Sequence, residues 1–283
     1  MNPRSHGNAG GCRTAFTTLE LLIAIAVIAV LAAILLPAIQ QMRESSRQTT
    51  CRNHIRQLAT ACESFEARRR TYPFSQLFGP HGKGPNSTAW SFFAQLLPDL
   101  EQKSLFEKGG LPESTIADSG IADATVHVLL CPSDPDSDAG PRFDAGNMVE
   151  HGFPVARTNY KGVCGANWGA DETQAWGPTD SGTRWPRKGT NGSWDGLNHG
   201  DGMLVRIDYV RPRRKGDVVD GVSNTWLLGE DVGRYDIYCS WPYANNVHST
   251  CAIPPNLFDH HDPTACPTVQ SFRSMHPGGL FLV

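Results

Sequence analysis

A single apolar segment near the amino terminus constrains this chain more than any other feature. Residues 15–42 read AFTTLELLIAIAVIAVLAAILLPAIQQM, and no charged residue occurs from Leu21 to Met42. At about 1.5 Å per residue, this stretch forms a helix of roughly 33 Å, which exceeds a hydrocarbon core of about 30 Å. The sequence therefore predicts a membrane-spanning helix near the start of the chain.

The acid at the start of this segment, Glu20, needs a partner near a bilayer. A carboxylate at the centre of a membrane helix costs about 2.5–3.5 kcal/mol on insertion scales, and less toward an end. Cleavage between Ala15 and Phe16 would create an amino-terminal cation close to Glu20 of the same helix or of a neighbouring one. Ala15 and Phe16 are therefore candidate processing residues, and Phe16 and Glu20 are candidate assembly residues.

Ala15, Phe16 and Glu20, with the apolar run behind them, resemble the prepilin-type cleavage and methylation motif of type IV pilins and type II secretion pseudopilins. The resemblance implies that a prepilin peptidase removes a leader of residues 1–15 and methylates the new amine of Phe16. It also implies that Glu20 guides subunit assembly. Ala15 stands where glycine is usual, although small residues are tolerated there. Pro37 falls where many pilins carry a proline that kinks the helix.

Two simpler interpretations of the apolar segment stay open. A secretory signal peptide would have a shorter apolar core of about 7–15 residues, followed by a small-residue cleavage site. A plain signal anchor would make Glu20 an accidental acid at the edge of a span. The flanking charges also oppose export of the large domain, because more arginines follow the segment than precede it. The specific resemblance nevertheless favours export.

The transmembrane part, residues 16–42, is predicted to continue as an amphipathic helix over residues 43–70. Apolar residues at helical spacing form one stripe along this continuation, and we expect the stripe to pack against the domain. Its members are Cys51, Ile55, Leu58, Cys62 and Phe65. Arginines close the helix near Arg70, and Tyr72-Pro73 ends it.

Residues 71–283 then form the predicted extracytoplasmic domain. Glycine and proline, at 28 and 20 residues, indicate long loops. Apolar residues on both sides of Pro98 predict two short helices before residue 109, and strands are predicted at 126–130, 158–163, 203–207, 217–219 and 225–229. We therefore expect an α+β fold in which a long helix packs on an antiparallel β-sheet with long loops, as in pilins.

The outer domain carries a second resemblance, to a large bacterial paralogous family that joins a prepilin-type start to a domain of unknown function. The similar segments are LLCPSDP at 129–135, DVVDGVSNTWLLGE at 217–230 and FRSMHPGG at 272–279. The family typically ends with a histidine, nine residues and Asp-Gly, and that aspartate would fall beyond Val283, so the signature is expected to be truncated here. The family-signature residues are Asp220, Gly221, Asn224, Glu230, His276, Pro277, Gly278 and Gly279.

Eight cysteines raise the question of disulfides, and seven remain if Cys12 leaves with the leader. Cys51 and Cys62 lie roughly 16 Å apart on one predicted helix, too far for a bond between them, so they are expected to be buried thiols. In an exported domain, disulfides are expected among the later cysteines. These are Cys131, Cys164, Cys239, Cys251 and Cys266.

Two residue groups raise the question of metal binding. Asp134, Asp136 and Asp138 resemble the start of a calcium loop, but the spacing fails the EF-hand pattern, so a solvated acidic turn is expected. Potential zinc ligands are concentrated near the carboxyl end, but they lack the tight spacing that fixes a site. We therefore predict no metal and no cofactor. The potential ligands are Cys239, His248, Cys251, Asp259, His260, His261, Asp262 and Cys266.

No catalytic motif occurs in the chain, and Asp220, Gly221 and Asn224 are expected to be turn residues and not catalytic groups, so we do not expect an enzyme. Arg211, Arg213, Arg214 and Lys215 are expected to form a solvated hairpin tip, with an anionic partner as the alternative. Loss of the two leader arginines would lower the formal net charge from −3 to −5, which argues against nucleic acid as a partner.

The sequence thus predicts a pseudopilin-like protein of the inner membrane, with one span and a periplasmic domain. Its expected partners are prepilin peptidase, membrane lipid and other pilin-like subunits, and the extracytoplasmic ligand is unknown. A membrane-tethered binding module without pilus-type assembly is the alternative. A zinc-dependent extracytoplasmic enzyme is a third interpretation.

Overall fold

The computed structural model describes residues 17–148, 152–166, 197–256, 258 and 271–283. The chain divides into two compact units, Met1–Ser45 and Ser46–Val283. Secondary structure begins with one helix of 52 residues, α1, which spans Thr18–Arg69 and contains Pro37. The predicted helix that ends near Arg70 is therefore confirmed.

The later part of α1 packs into the second unit along the predicted stripe. The buried residues of the helix are Cys51, Ile55, Leu58, Ala61, Cys62 and Phe65. They belong to a core cluster that also holds Trp90, Tyr160 and Trp241. Each buried leucine or isoleucine contributes about 1.5–3 kcal/mol relative to exposure, so this stripe stabilises the helix through packing.

A small sheet lies at the centre of the second unit. Its strands are β1 at Tyr160–Val163, β2 at Leu228–Glu230 and β3 at His248–Ser249, in the order β2-β1-β3. β1 pairs with β2 antiparallel and with β3 parallel. The sheet is therefore mixed, whereas an antiparallel sheet was expected. The parallel pair is possible because a long crossover connection separates β1 from β3. The chain end also pairs beside β2, where Leu282 bridges Gly229.

Short helices connect these parts. The two short helices expected around Pro98 are α2 at Phe92–Leu96 and α3 at Lys103–Lys108, and a 3₁₀ turn at Leu97–Leu100 joins them. Further 3₁₀ turns occur at Gly79–His81, His127–Leu129, Asp208–Val210, Lys215–Asp217, Val222–Asn224, Gly233–Tyr235 and Ala244–Asn246. The long helix and the small sheet confirm the α+β class.

Three of the predicted strands are wrong. Residues 126–130 and 217–219 overlap the 3₁₀ turns at His127–Leu129 and Lys215–Asp217, and residues 203–207 form no named strand. Leu129 and Leu204, from two of these segments, are buried in the core without a sheet ladder, whereas Val219 in the third is exposed. A short apolar run does not distinguish a strand from a buried loop. The other two predictions correspond to β1 and β2 with shifted ends.

Candidate functional site

The start of α1 is held by a reciprocal pair of hydrogen bonds between Thr17 and Glu20. The Thr17 hydroxyl oxygen accepts a bond from the Glu20 backbone N–H at 3.2 Å. In return, Glu20 Oε2 accepts bonds from the Thr17 backbone N–H and hydroxyl, both at 2.9 Å. This is a capping box, and it gives Glu20 a structural role that the T-x-x-E pattern signals. The predicted processing residues Ala15 and Phe16 lie outside the described residues.

After this cap, the apolar side chains of α1 are exposed. Leu22, Ile28 and Leu35 are 56–64% exposed, and none of the most apolar 18-residue stretch is buried. Within the described part of the chain, α1 is the one helix long and apolar enough to cross a membrane. Pro37 lies inside the helix, and a kink there stays a prediction.

A disulfide ties the later part of α1 to the domain, between Cys51 and Cys131. The two Cα atoms are 5.1 Å apart, within the usual range for a disulfide. The expectation that Cys51 is a thiol is therefore wrong, because its partner lies 80 residues away in sequence and not on the same helix. Cys62 is a buried thiol as expected, and burial raises its pKa.

The other expected disulfides do not form among the described cysteines. Cys164 and Cys239 are buried thiols and Cys251 is a partly buried one, while Cys266 lies outside the described residues. Burial raises the pKa of Cys251 to about 11 and that of Cys239 well above its usual value. The pairing expected from an oxidising compartment is therefore wrong for these three cysteines.

Two family-signature residues meet beside the disulfide. Glu230, at the end of β2, and His276 are both buried, with His276 Nε2 3.5 Å from Glu230 Oε1. The same nitrogen lies 3.5 Å from Cys131 Sγ, and Glu230 Oε2 accepts a bond from the backbone N–H of Phe281. Glu230 and His276 therefore connect β2, the disulfide and the chain end.

The remaining signature residues are exposed. Asn224 Nδ2 donates to the Asp220 carbonyl at 2.9 Å, and Gly221 has a φ of +84°, a left-handed conformation that favours glycine. Asp220, Gly221 and Asn224 thus form a turn before β2, as the sequence indicated. Pro277, Gly278 and Gly279 lie in an exposed loop.

The most concentrated chemistry is a buried group of charged residues that sequence analysis missed. Lys161 Nζ on β1 lies 2.8 Å from Asp231 Oδ2 and also contacts Asp236 Oδ2. Arg273 donates to Asp231 Oδ1 at 3.0 Å, and the Cys239 thiol lies 3.7 Å from Asp231 Oδ2. The four charged side chains are wholly buried. We call Lys161, Asp231, Asp236, Cys239 and Arg273 the Lys161 cluster.

Burial and the neighbouring charges set the protonation of the Lys161 cluster. Burial raises the pKa of Asp236 to about 7, with a further contribution from Asp231, although Lys161 opposes it. Burial would also raise the pKa of Asp231, but the charges of Lys161 and Arg273 outweigh that effect and lower it. Asp236 is thus the carboxyl that holds a proton near neutral pH. Two features of the sequence could have indicated this site. Lys161 lies inside a predicted strand, and Asp231 directly follows β2.

The acidic residues near 134 lie in a turn that is exposed at Asp138 and buried at Asp134. Asp134 is buried and accepts bonds from Asn159 Nδ2 at 2.6 Å and from the Gly233 backbone N–H at 3.2 Å. Asp136 pairs with Arg234 through two bonds, which lower the pKa of Asp136. The expectation of a solvated acidic turn therefore holds for Asp138 and is wrong for Asp134 and Asp136, because long-range partners satisfy those two carboxylates.

Two groups of described residues could offer ligands to a metal: Cys51, Cys131, Glu230 and His276, and separately Asp231, Asp236 and Cys239. The cysteines of the first are joined in the disulfide, and Lys161 and Arg273 supply positive charge to the second.

Of the potential zinc ligands in the sequence, His248 lies on β3 with Nε2 2.8 Å from the Ser75 hydroxyl, and burial lowers its pKa. Neither metal group includes His248 or Cys251, and residues 259–262 and 266 lie outside the described residues.

The basic residues near 213 are not a hairpin tip. The Arg213 carbonyl accepts the Tyr72 backbone N–H at 2.7 Å, Arg213 donates to Gly200, and Lys215 pairs with Glu63 of α1 at 3.4 Å. Arg211 and Arg214 are exposed. This segment therefore packs beside the end of α1, since its backbone and cations find partners there.

A cavity of about 520 Å³ lies at the end of α1. Phe65, Trp90 and Phe106 contribute to its wall, together with Arg68 and Gln76. Among the described residues, Gln76 Oε1 is a buried oxygen with no hydrogen-bond partner. The cavity thus combines aromatic surface with an unused acceptor and an arginine.

The described residues define an α+β domain together with a helix long enough to cross a membrane. A protein-family model described as "Protein of unknown function (DUF1559)" matches residues 40–283, and the chain belongs to this family. The match includes the signature residues from Asp220 to Gly279 and begins after Glu20, so it does not cover the prepilin-type motif. No curated protein and no solved structure matches the chain.

Proposed function

We propose that the chain is a pseudopilin-like protein of the inner membrane, cut before Phe16 by prepilin peptidase, that presents its domain to a periplasmic secretion or surface assembly. Its partners in this proposal are the peptidase, membrane lipid and other pilin-like subunits, and its role is assembly without catalysis, cofactor or nucleic acid. The observation that carries the proposal is the exposed Glu20 carboxylate at the first turn of an exposed apolar helix. The amine of Phe16 would meet it there.

The Cys51–Cys131 disulfide supports the periplasmic side. Disulfides persist in oxidising compartments such as the periplasm and are rare in the cytosol. The disulfide thus points to the opposite orientation from the flanking arginines. The rule that relates such arginines to orientation is a statistical one. A disulfide so close in sequence to the predicted span favours export of the whole domain.

Processing is tested by the mass of the amino-terminal peptide from membranes of cells with and without prepilin peptidase. We expect methylated Phe16 as the first residue with the peptidase and an uncut chain without it. Ala15→Leu is expected to block cleavage, whereas Ala15→Gly keeps a small residue and is expected to permit it. An uncut chain in both cell types would contradict the proposal and favour the tethered binding module.

Assembly is tested with Glu20→Gln beside Glu20→Ala, through in-cell crosslinking between subunits. Glutamine keeps an oxygen for the capping box and removes the charge, whereas alanine removes both. If the charge guides assembly, both variants lose the crosslinked species. Wild-type crosslinking of Glu20→Gln would contradict the assembly role and leave only the cap.

The cavity at the end of α1 favours the second candidate, a tethered binding module. Its aromatic wall and the Gln76 oxygen suit an apolar ligand that carries a hydrogen-bond donor. Anilinonaphthalene sulfonate, an aromatic sulfonate dye, is a suitable probe. Saturable fluorescence that Thr71→Trp abolishes would support this function, and fluorescence unchanged by that variant would oppose it.

A further inference from the structure

The Lys161 cluster places an amine and two carboxyl groups in contact inside the domain. We propose that Lys161 and Asp236 are joined by an amide bond between Nζ and Cγ, formed by the protein itself with Asp231 as the proton acceptor. The bond would be a covalent modification of the domain, independent of whether the chain is processed or assembles.

Proximity is the first argument for this bond. Lys161 Nζ contacts the carboxyl of Asp236 in the folded chain, and both side chains are wholly buried. Groups held in a reactive geometry behave as if present at about 10⁵–10⁸ M, which removes most of the entropy cost of joining them. Burial also keeps bulk water, the product of condensation, away from the site.

Protonation is the second argument. Amide formation requires a neutral amine and benefits from a protonated carboxyl, and burial raises the pKa of Asp236 to about 7. The lowered pKa of Asp231 keeps it ionised beside the Lys161 ammonium, so Asp231 Oδ2, 2.8 Å from Nζ, can take the proton. Burial would lower the pKa of Lys161, but the charges of Asp231 and Asp236 outweigh that effect and raise it, so the amine becomes neutral only when Asp231 takes its proton.

The reaction balances without an oxidant or a co-reactant. The ammonium of Lys161 gives one proton to Asp231, and the amine attacks Cγ of Asp236. The Cγ–Oδ2 bond breaks as Oδ2 leaves with its own proton and one from the nitrogen, so one water is released. The Tyr238 backbone N–H lies 2.6 Å from Asp236 Oδ1 and can stabilise the negative charge that develops on that oxygen.

The charges that remain are the third argument. Before condensation, the described site holds two cations, Lys161 and Arg273, beside two carboxyl groups. Buried ion pairs of this kind often stabilise less than neutral groups of the same shape, because each charge loses its hydration. Condensation removes one cation and one carboxyl, and Asp231 stays paired with Arg273 once it releases the proton that it accepted. The bond would also close a chain segment of 75 residues between β1 and Asp236.

The test is peptide mass mapping of the full chain after reduction, alkylation, denaturation and trypsin. We expect a branched peptide in which Lys161 is uncut and joined to the peptide that begins at Tyr235, with a mass 18 Da below the sum of the two. Recovery of Lys161 as a normal cleavage site, with both peptides unlinked, would overturn the proposal and leave an ion pair.

Variants separate the bond from simple packing. Asp236→Asn is expected to give a branched peptide of the same mass, because the amine then displaces ammonia in place of water. Asp236→Ala and Lys161→Arg are expected to abolish it. Asp231→Asn keeps the shape but removes the proton acceptor, so the unlinked peptides should predominate. A branched peptide of unchanged yield in Asp231→Asn would contradict the assigned role of Asp231.

Discussion

The two halves of α1 share one helical backbone, but their apolar side chains have different surroundings. Ile28 and Leu31 in the first half are 64% and 55% exposed, whereas Ile55 and Leu58 in the second half are almost completely buried. The second half also carries Cys51, which is bonded to Cys131. The first half therefore exposes its apolar side chains, as a membrane span would, while the second half belongs to the folded domain.

The largest expected effect comes from breaking the bond that ties the second half to the domain. Cys51→Ser should lower the free energy of unfolding by about 4 kcal/mol, because it removes a cross-link that closes a long loop. Denaturant unfolding in detergent measures the change. Cys62→Ala is the matched control, since it alters a buried cysteine without a bond. Equal losses in both variants would mean that the disulfide contributes only packing.

Matched leucines test the contrast in burial directly. Leu58→Ala should cost about 3 kcal/mol of domain stability, because it leaves a cavity in the core. Leu31→Ala should change the same quantity by less than about 0.5 kcal/mol, since Leu31 is exposed. Thermal unfolding of the two purified proteins in detergent checks both values. A comparable loss in Leu31→Ala would show that the first half also packs on the domain.

A charge in the first half should weaken membrane insertion and leave the stability of the domain unchanged. Ile28→Lys should raise the free energy of insertion by about 2.5 kcal/mol. Fractionation of cells should show less protein in the membrane, while the unfolding curve of the domain stays unchanged. Gln57→Lys, at an exposed position of the second half, is the control. If Ile28→Lys leaves membrane association intact, the first half is not the anchor.

The smallest effect concerns the cap at the start of α1. Thr17→Ala should destabilise the first turn by about 1 kcal/mol, because the side chain that accepts the Glu20 N–H is lost. Faster hydrogen exchange of the first helical amides measures this fraying. Thr17→Ser keeps the hydroxyl and should exchange as the wild type does. Equal exchange rates in all three proteins would contradict a stabilising cap.

Local patterns predicted α1 well, and long-range contacts explain the misses. The stripe from Cys51 to Phe65 was readable because helical periodicity is a local property. The partner of Cys51 was not, because Cys131 is 80 residues away and sequence does not specify which cysteines meet. The buried segments around Leu129 and Leu204 were predicted as strands because a run of apolar residues indicates burial. Such a run does not show whether the backbone pairs in a sheet.

The candidate sites show the same difference between local patterns, which the sequence predicts, and long-range contacts, which it does not. The turn at Asp220–Asn224 followed from its residue types, as turns do. Glu230 and His276 were found only as parts of a family signature, and their meeting beside the disulfide depends on how β2 and the chain end pair. The Lys161 cluster gathers residues from 161 to 273, and no single segment of the sequence contains enough of it to reveal the site.

The central proposal is that the second half of α1 and the domain fold together in an oxidising compartment. The most direct test is to alkylate living cells with N-ethylmaleimide, isolate the membrane fraction and map the cysteine peptides without reduction. The account predicts that Cys51 and Cys131 are recovered in one disulfide-linked peptide pair, while Cys62 carries the alkyl group after denaturation in the reagent. Recovery of Cys51 and Cys131 as separately alkylated peptides would contradict it and favour a domain on the cytoplasmic side.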